Sequence, residues 1–286
     1  MIVLAAVSAV LAGCGGPEAD RARTAALPTA SPVPAPSSPA PESRPSVPAP
    51  GPRGLTPVFE RRTASGSGAA SGARGDDKVV ALTFDADMTA DQGPRAAGGE
   101  RFDNPGLIAS LRRLEVPSTV FMTGRWAQEY PDQARSIGTD PLFEIANHSF
   151  SHYAFSSPCY GLPTVAEGDM RADVERAFTA IRGTGARHVV PYFRFPGGCY
   201  DDVALKALAP AGVTAVQWDV VSGDAFATDA EAVAEQVLAG VRPGSLVVMH
   251  CTRSAAPVTD DAVRRIVPEL RERGYRFVKV SELMRG

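Results

Sequence analysis

KVVALTFDAD, residues 78–87, is a run of apolar and β-branched residues that stops on two carboxylates. The apolar part, 78–84, reads as a strand buried on both faces, the texture of a parallel sheet covered by helices. In a pleated strand, residues two apart point to one side. Asp85 and Asp87 therefore share a side, and Ala86 faces away.

The same texture continues downstream. NPGLIASLRRLEV (104–116) carries apolar residues at helical spacing, STVFMTG (118–124) is strand-like, and RWAQEYPDQARSI (125–137) is helix-like. LFEIANH (142–148) is a short strand, 165–183 a helix, and VVPYFRFP (189–196) a strand. Residues 202–212 read as a helix closed by Gly212, VTAVQWDV (213–220) as a strand, and 229–241 as a helix. GSLVVMH (244–250) is a strand, 259–274 a helix closed by Gly274, and YRFVKVSEL (275–283) a last strand with a short cap. Strand–helix alternation over about 200 residues argues a parallel α/β fold. Periodicity does not separate a closed barrel from an open doubly wound sheet. No GxGxxG loop or P-loop follows any strand, so nucleotide binding has no support. No internal repeat is visible.

Titratable residues gather where these strands end. Asp85 and Asp87 follow the first, His148 and His152 the third, Arg194 the next; then come Asp219 and Asp224, and last His250. Parallel α/β folds build their active sites at that end of the sheet. Three of the four histidines fall there. Two imidazoles four residues apart can share one metal if the backbone turns between them.

Upstream of residue 78 the chain has another character. Met1 to Ala12 is almost wholly apolar, too short to span a bilayer as a mature helix and fitting the core of a signal peptide. It runs into Leu11-Ala12-Gly13-Cys14, which resembles the lipobox of bacterial lipoproteins, although no Lys or Arg precedes the apolar run. That resemblance implies cleavage after residue 13 and acylation of Cys14, hence an extracytoplasmic protein anchored by lipid to a bacterial membrane and facing the cell wall. Residues 14–76 are rich in Pro, Ala, Ser and Gly without an apolar period and are expected to form a disordered linker. In extended polyproline form, such a tether reaches on the order of 100 Å. The folded domain is expected over 77–286.

The chain has 286 residues, 44% hydrophobic and 21% charged, with a formal net charge of −3. No strong positive field draws it to nucleic acid, and a monomer is expected. Beyond Cys14, the cysteines are Cys159, Cys199 and Cys251. An odd number leaves at least one unpaired within the monomer, and three pairings are open.

The order of the motifs resembles the NodB-homology polysaccharide deacetylases, carbohydrate esterase family 4. They read here as TFDAD (83–87), HSFSH (148–152), RFPGG (194–198), WDVVSGD (218–224) and VVMH (247–250), covering roughly 78–283. The resemblance implies a distorted (β/α) barrel with fewer strands than a standard one. It implies hydrolysis of acetyl groups on an N-acetylated cell-wall polysaccharide such as peptidoglycan, or on chitin-like glycan. Asp85 then matches the base that takes a proton from the attacking water, and Arg194 the arginine paired with it. His148 and His152 match two metal ligands. His250 matches the general acid and Asp224 the aspartate that orients it. A backbone N–H near Gly197 or Gly198 is implied as oxyanion donor. The chemistry agrees: amide hydrolysis needs an activated water, a stabilised oxyanion and a proton for a poor leaving group.

Ala86 departs from the pattern, which has a second, metal-binding aspartate there. Three repairs are open. Asp87 supplies the carboxylate, as the pleat favours; Asp85 ligates and Asp87 is the base; or two histidines hold the metal weakly. Two imidazoles and a carboxylate suit Zn²⁺, with Co²⁺, Ni²⁺ and Mn²⁺ also compatible. A family member that binds glycan without catalysis, or an amidase acting on a non-carbohydrate amide, are the competing readings. N- and O-deacetylation use the same attack by water and are not distinguished.

Overall fold

The computed structural model describes residues 54–63 and 78–285. The proposed signal segment 1–13, Cys14 and the tail over 15–53 and 64–76 lie outside the described residues. In chain order the strands are β1 (Val58–Phe59), β2 (Val79–Ala86), β3 (Ser118–Met122), β4 (Phe143–Asn147), β5 (Val189–Phe193), β6 (Thr214–Val216), β7 (Val220–Val221), β8 (Ser245–His250) and β9 (Arg276–Phe277). The helices are α1 (Gly93–Ala97), α2 (Pro105–Arg113), α3 (Gly124–Glu129), α4 (Pro131–Gly138), α5 (Met170–Gly183), α6 (Asp202–Leu208), α7 (Ala230–Gly240), α8 (Thr259–Glu272) and α9 (Val280–Leu283). Every paired strand is parallel, in the order β1-β6-β5-β4-β3-β2-β8-β7, with β9 added on β2. The sheet curls into an incomplete barrel with helices outside, as the resemblance implied.

The pleat sorts side chains into two cores. On β2, Val80, Leu82, Phe84 and Ala86 join the layer beneath the helices, whereas Val79 and Ala81 join Phe121, Ala146, Tyr192, Val216 and Leu246 inside the barrel. On β8, Val247 and Met249 face the helices and Leu246 faces in. On β5, Val190 and Tyr192 face in. Continuing each alternation to the strand's C-terminal end places Asp85, Arg194 and His250 on the interior side. Between Ile145 and Asn147 the β4–β5 register shifts, an irregularity of the kind that re-aims a strand end. His148 follows directly.

Three elements differ from the sequence reading. The helix expected over 125–137 is two, α3 and α4, because Pro131 keeps Tyr130 out of the helical region (φ −122°, ψ 58°). The strand expected over 213–220 is split. β6 pairs with β5 and β1, then the chain crosses the seam of the barrel, and β7 pairs with β8. Asp219 stitches that crossing by accepting from the Leu246 N–H at 2.7 Å and the Ser245 hydroxyl at 2.9 Å. The strand expected over 275–283 pairs only at Arg276 and Phe277 before α9 begins.

Residues 54–63, assigned above to the linker, are a correction: they are part of the barrel. The Ala215 and Gln217 amides donate to the Pro57 and Phe59 carbonyls at 2.9 and 2.8 Å. Thr56 is buried and donates through Oγ1 to the Leu205 carbonyl at 2.8 Å, and the Arg62 amide donates to the Gly244 carbonyl at 2.9 Å. Phe59 packs on the inner core. Gly244 has φ +85°, and a Cβ there would overlap the Arg62 carbonyl, so only glycine lets the strap pass.

A chain beginning at residue 64 should therefore be less stable than one beginning at residue 54 by about 2 kcal/mol or more, since it loses a half-buried aromatic and the strap's ladder bonds. Coincident urea midpoints for the two chains would exclude the strap from the cooperative fold.

Candidate active site

His148 to His152 form a tight turn after β4. Ser149 and His152 occupy left-handed backbone, at φ 70° and 56°. Such conformations persist only where neighbours impose them. Here the Ser149 amide donates to Asn147 Oδ1 at 2.8 Å, the His152 amide to Ser149 Oγ at 2.8 Å, and Asp173 on α5 accepts from the Phe150 amide at 2.6 Å and the Ser151 hydroxyl at 2.9 Å. Gly124 at the start of α3 leaves room for the Phe150 ring, which a Cβ would strike. Asp173 was not singled out in the sequence; its signal was an acidic residue in the first turn of the helix that follows the histidines.

The turn brings both imidazoles onto one carboxylate. Asp87 Oδ1 lies 3.4 Å from His148 Nε2 and 3.7 Å from His152 Nε2. Ala86 is buried beneath the helices, and the carboxylate beside the two imidazoles is that of Asp87, one residue further on, on the side the pleat favours. The three ligand atoms lie within 4.8 Å of one another. The His148 ring bonds the Arg194 carbonyl through Nδ1 at 2.9 Å, which makes Nδ1 the protonated nitrogen and leaves the Nε2 lone pair facing Asp87.

This set fits a cation. Asp87 Oδ1 is buried and accepts no hydrogen bond of ordinary geometry. Three electron-rich atoms converging in a buried place repel one another unless a proton or a cation lies among them. The titration behaviour of the group carries the same strain. Burial, only partly offset by Asp87, pulls His152 down to about 4, so its ring is a neutral donor. Burial opposes charge on Asp87 and on His148. The histidines nevertheless hold the Asp87 carboxyl well below the usual range, and Asp85 and Asp87 raise His148.

Asp85 is held elsewhere. Arg194 is fully buried and gives Nη1 to Asp85 Oδ1 at 2.7 Å, Nε to the Val216 carbonyl at 3.1 Å and Nη2 to the Gln217 carbonyl at 3.3 Å. Its guanidinium lies 3.9 Å from the Phe121 ring centroid and 5.4 Å from that of Trp218. Asp85 Oδ2 remains, 3.7 Å from His148 Nε2. Asp85 thus borders the triad with one oxygen committed to arginine and the other turned toward the histidine.

His250 stands on the other side of Asp85, its partner in the β2–β8 register. Its Nδ1 bonds Asp224 Oδ1 at 2.8 Å, and its amide donates to Asp224 Oδ2 at 2.7 Å. Ser222 and Thr259 donate to the same carboxylate at 2.8 and 2.7 Å. Burial disfavours the charged imidazole, but the Asp224 bond and charge outweigh it, with Asp87 and Asp85 adding, and lift His250 to about 10. Ser222 and Thr259 escaped the sequence reading because a hydroxyl that fixes a carboxylate has no spacing signature.

The Pro196–Gly198 turn follows Arg194. The Gly198 amide donates to the Phe195 carbonyl at 2.8 Å, so of the two glycines proposed for an oxyanion the Gly198 N–H is already engaged. Of the three cysteine pairings, the structure has Cys159–Cys199, joining the loop after the histidines to this turn. Cys251 is free and buried, and burial pushes its thiol up to about 12, far from a thiolate ligand. Trp218 packs its ring on Gly198, where a Cβ would come within 2.6 Å, and Trp126 is core. The fourth histidine, His188, lies at the N-terminal end of β5, away from these groups.

A profile of the polysaccharide deacetylase family matches residues 72–216. The chain is 30% identical over 198 residues to a chitooligosaccharide deacetylase of Sinorhizobium fredii, covering 66% of this chain and 86% of that one. It is 29% identical over 213 residues to a peptidoglycan-N-acetylglucosamine deacetylase of Bacillus cereus, covering 73% and 90%. The structure superimposes with a TM-score of 0.64 on a peptidoglycan N-acetylglucosamine deacetylase solved with a bound N-oxidanyl-benzamide, at 22% identity and with 80% of this chain and 92% of that one covered.

Asp87→Ala should weaken Zn²⁺ binding by at least about 100-fold in equilibrium dialysis, by loss of one of three donors. Unchanged affinity, with His148→Ala binding as a control for the imidazoles, would take Asp87 out of the cation site.

Proposed function

From its membership of the polysaccharide deacetylase family, to which this chain belongs, we propose that it removes N-acetyl groups from amino-sugar residues of a cell-envelope glycan, peptidoglycan first among them. The observation that carries this reading is the convergence of Asp87, His148 and His152 between Asp85–Arg194 on one side and Asp224–His250 on the other. A divalent cation on Asp87, His148 and His152 would polarise the acetyl carbonyl and acidify the attacking water; the donor set suits Zn²⁺.

The chain's own groups do the proton work. Asp85 takes the proton of the attacking water through Oδ2, the oxygen Arg194 leaves free. Arg194 fixes that carboxylate through Nη1 and supplies the countercharge it needs in a buried place. His250 enters protonated and donates through Nε2 to the leaving nitrogen, because Nδ1 is committed to Asp224. Asp224 keeps the ring charged and oriented, and is itself fixed by Ser222, Thr259 and the His250 amide. The Gly197 N–H is the remaining candidate of the two glycines for the oxyanion.

Ala86 motivated the reading of a binding protein without activity. The carboxylate of Asp87 in the same cluster as the two histidines supports the catalytic reading over that one. We extend the proposal to location: the apolar start, Cys14 and the Pro-rich tail suit a lipid-anchored protein whose domain works on the wall outside the membrane.

With Zn²⁺ or Co²⁺ added, the protein should release acetate from N-acetylglucosamine oligomers or peptidoglycan, and His148→Ala should abolish the release. Absence of metal-dependent acetate from any such glycan would defeat the proposal. His250→Ala should cost about 10²–10⁴-fold in kcat. Asp224→Asn removes the charge that raises His250, so the alkaline limb of the pH–rate profile should move to lower pH; a limb that stays in place would separate Asp224 from the acid.

A further inference from the structure

The turn that bears the candidate oxyanion donor has little stiffness of its own. Gly197 and Gly198 follow one another in left-handed backbone, at φ 65° and 71°. Glycine adopts that conformation freely but is not held in it, because it has no Cβ to restrict its dihedrals. The turn is anchored before the glycines, where the Arg194 amide donates to the Asn147 carbonyl at 2.9 Å and the Arg194 carbonyl bonds His148. It is anchored after them, where Asp201 Oδ1 accepts from the Ala204 amide at 2.8 Å and caps α6. Whatever holds the two glycines between these points must come from elsewhere in the chain.

Gly198 is held from the seam: Trp218 lies against it, and Gln217 donates through Nε2 to its carbonyl at 2.9 Å. Gly197 is held by the Cys159–Cys199 disulfide. A Cβ on Gly197 would come 2.7 Å from Cys159 Sγ. The Cys159 sulfur lies 3.7 Å from the Pro196 carbonyl oxygen, and the Cys199 sulfur 3.6 Å from that of Gly197. The two sulfurs therefore lie against the peptide groups on both sides of Gly197. Cys159 is itself set by the other half of the site. It is buried, in the loop that leaves His152; a bridge between Ala154 and Thr164 closes that loop, and the Leu162 amide donates to the Cys159 carbonyl at 2.8 Å. The disulfide thus joins, by a covalent bond, the segment that leaves the cation ligands to the turn that bears the oxyanion donor.

We propose that Cys159 and Cys199, joined as the disulfide, are positioning residues for the hydrolysis: their bond fixes the Gly197 N–H relative to the cation site, and the protein reaches its full rate only when that bond is formed. The inference rests on the deacetylase reading for the identity of the reaction. The physical need is registration. A cation and an N–H serve one developing oxyanion only if both lie at bonding distance from the same oxygen, and a displacement of about 1 Å costs most of the effect. The N–H is called on as charge develops, so the brace acts on the transition state and leaves substrate binding alone. His148 and His152 are held without the disulfide, by Arg194, Asn147 and Ser149, and the cation site does not depend on it. Cys199 is only partly buried, within reach of a soluble thiol. In a compartment that keeps thiols reduced, the chain stays at its lower rate.

The experiment uses the full chain with Zn²⁺, and an N-acetylglucosamine oligomer and a small acetyl ester as substrates. The native chain is compared with one carrying Cys159→Ser and Cys199→Ser together, and with native chain reduced before metal is added. In that reduction a dithiol closes into its own disulfide as its electrons and protons pass to the two sulfurs, and it is removed before Zn²⁺ is loaded. Both altered chains should lose about 10- to 100-fold in kcat. KM and Zn²⁺ affinity should stay within about 2-fold of native. Oxidised glutathione should return the reduced chain to the native rate. Amide exchange over 195–199 should quicken while that over 147–152 does not. Equal kcat with and without the bond overturns the brace, as does a loss that follows a fall in Zn²⁺ affinity. If the double variant does not fold, the reduced native chain decides; unfolding of both overturns the brace, because the bond then serves stability. Ester hydrolysis that needs the bond, without acetate from any glycan, sustains the brace and defeats the deacetylase reading. Acetate from glycan at one rate in all three chains does the reverse, and a native chain that hydrolyses neither substrate overturns both.

Discussion

A guanidinium with no access to solvent is tolerable only if its donors are met, and Arg194 meets that condition by binding three parts of the barrel together. Its Nη1 goes to Asp85 on β2, its Nε to Val216 on β6, its Nη2 to Gln217 at the seam, and its own carbonyl receives His148 Nδ1. One residue thus orients the carboxylate proposed as base and one imidazole of the cation site, and pins the place where the sheet changes neighbours. Removing either member of such a buried pair typically costs 3–5 kcal/mol, since the other is left charged and dry. The pair is also what divides labour between two aspartates two residues apart. Asp85 is held by a cation of the protein's own, and Asp87 is left with an oxygen that no hydrogen bond among the described residues satisfies.

That division follows from the pleat. In this chain a period of two turns residue 85 to the barrel interior and puts Ala86 in the layer beneath the helices. An aspartate at 86 on this backbone would be a charge buried in the apolar layer beneath the helices, where alanine fits. Ala86 and Asp87 are read together in the proposal: the carboxylate beside the two imidazoles lies one residue further on, on the side the pleat favours.

Much of this was legible in the sequence. Carboxylates, histidines and an arginine at strand ends could be placed on one face by counting in twos, and both histidines, Asp85, Asp87, Arg194, Asp224 and His250 do converge. What was not legible depends on partners far along the chain. Residues 54–63 carry only Leu55, Val58 and Phe59 as large apolar residues, too few to signal a strand, and only the open edge of β6 and the gap above Gly244 make them one. The run 213–220 has the pattern of one strand, yet its two halves serve different neighbours across the seam, which no local period records. The pairing of Cys159 with Cys199 depends on two loops meeting, and three cysteines alone do not choose. Asp173, Ser222 and Thr259 act by holding other residues, and their types recur all over any surface.

The site is consequently built in two layers with different physics. The inner groups come from strand ends and the turn after β4, where burial makes every unpaired charge costly, and there Asp85 is paired with Arg194 and Asp224 with His250 while Asp87 Oδ1 accepts no hydrogen bond among the described residues. The outer groups come from loops, where exposure removes that penalty and left-handed turns, a disulfide and single amide bonds do the positioning instead. Strand geometry has no freedom to change the first layer without breaking the Arg194 pair. Loop sequence can change the second at little cost to stability. A barrel of this kind can therefore hold its central groups fixed while its rim varies.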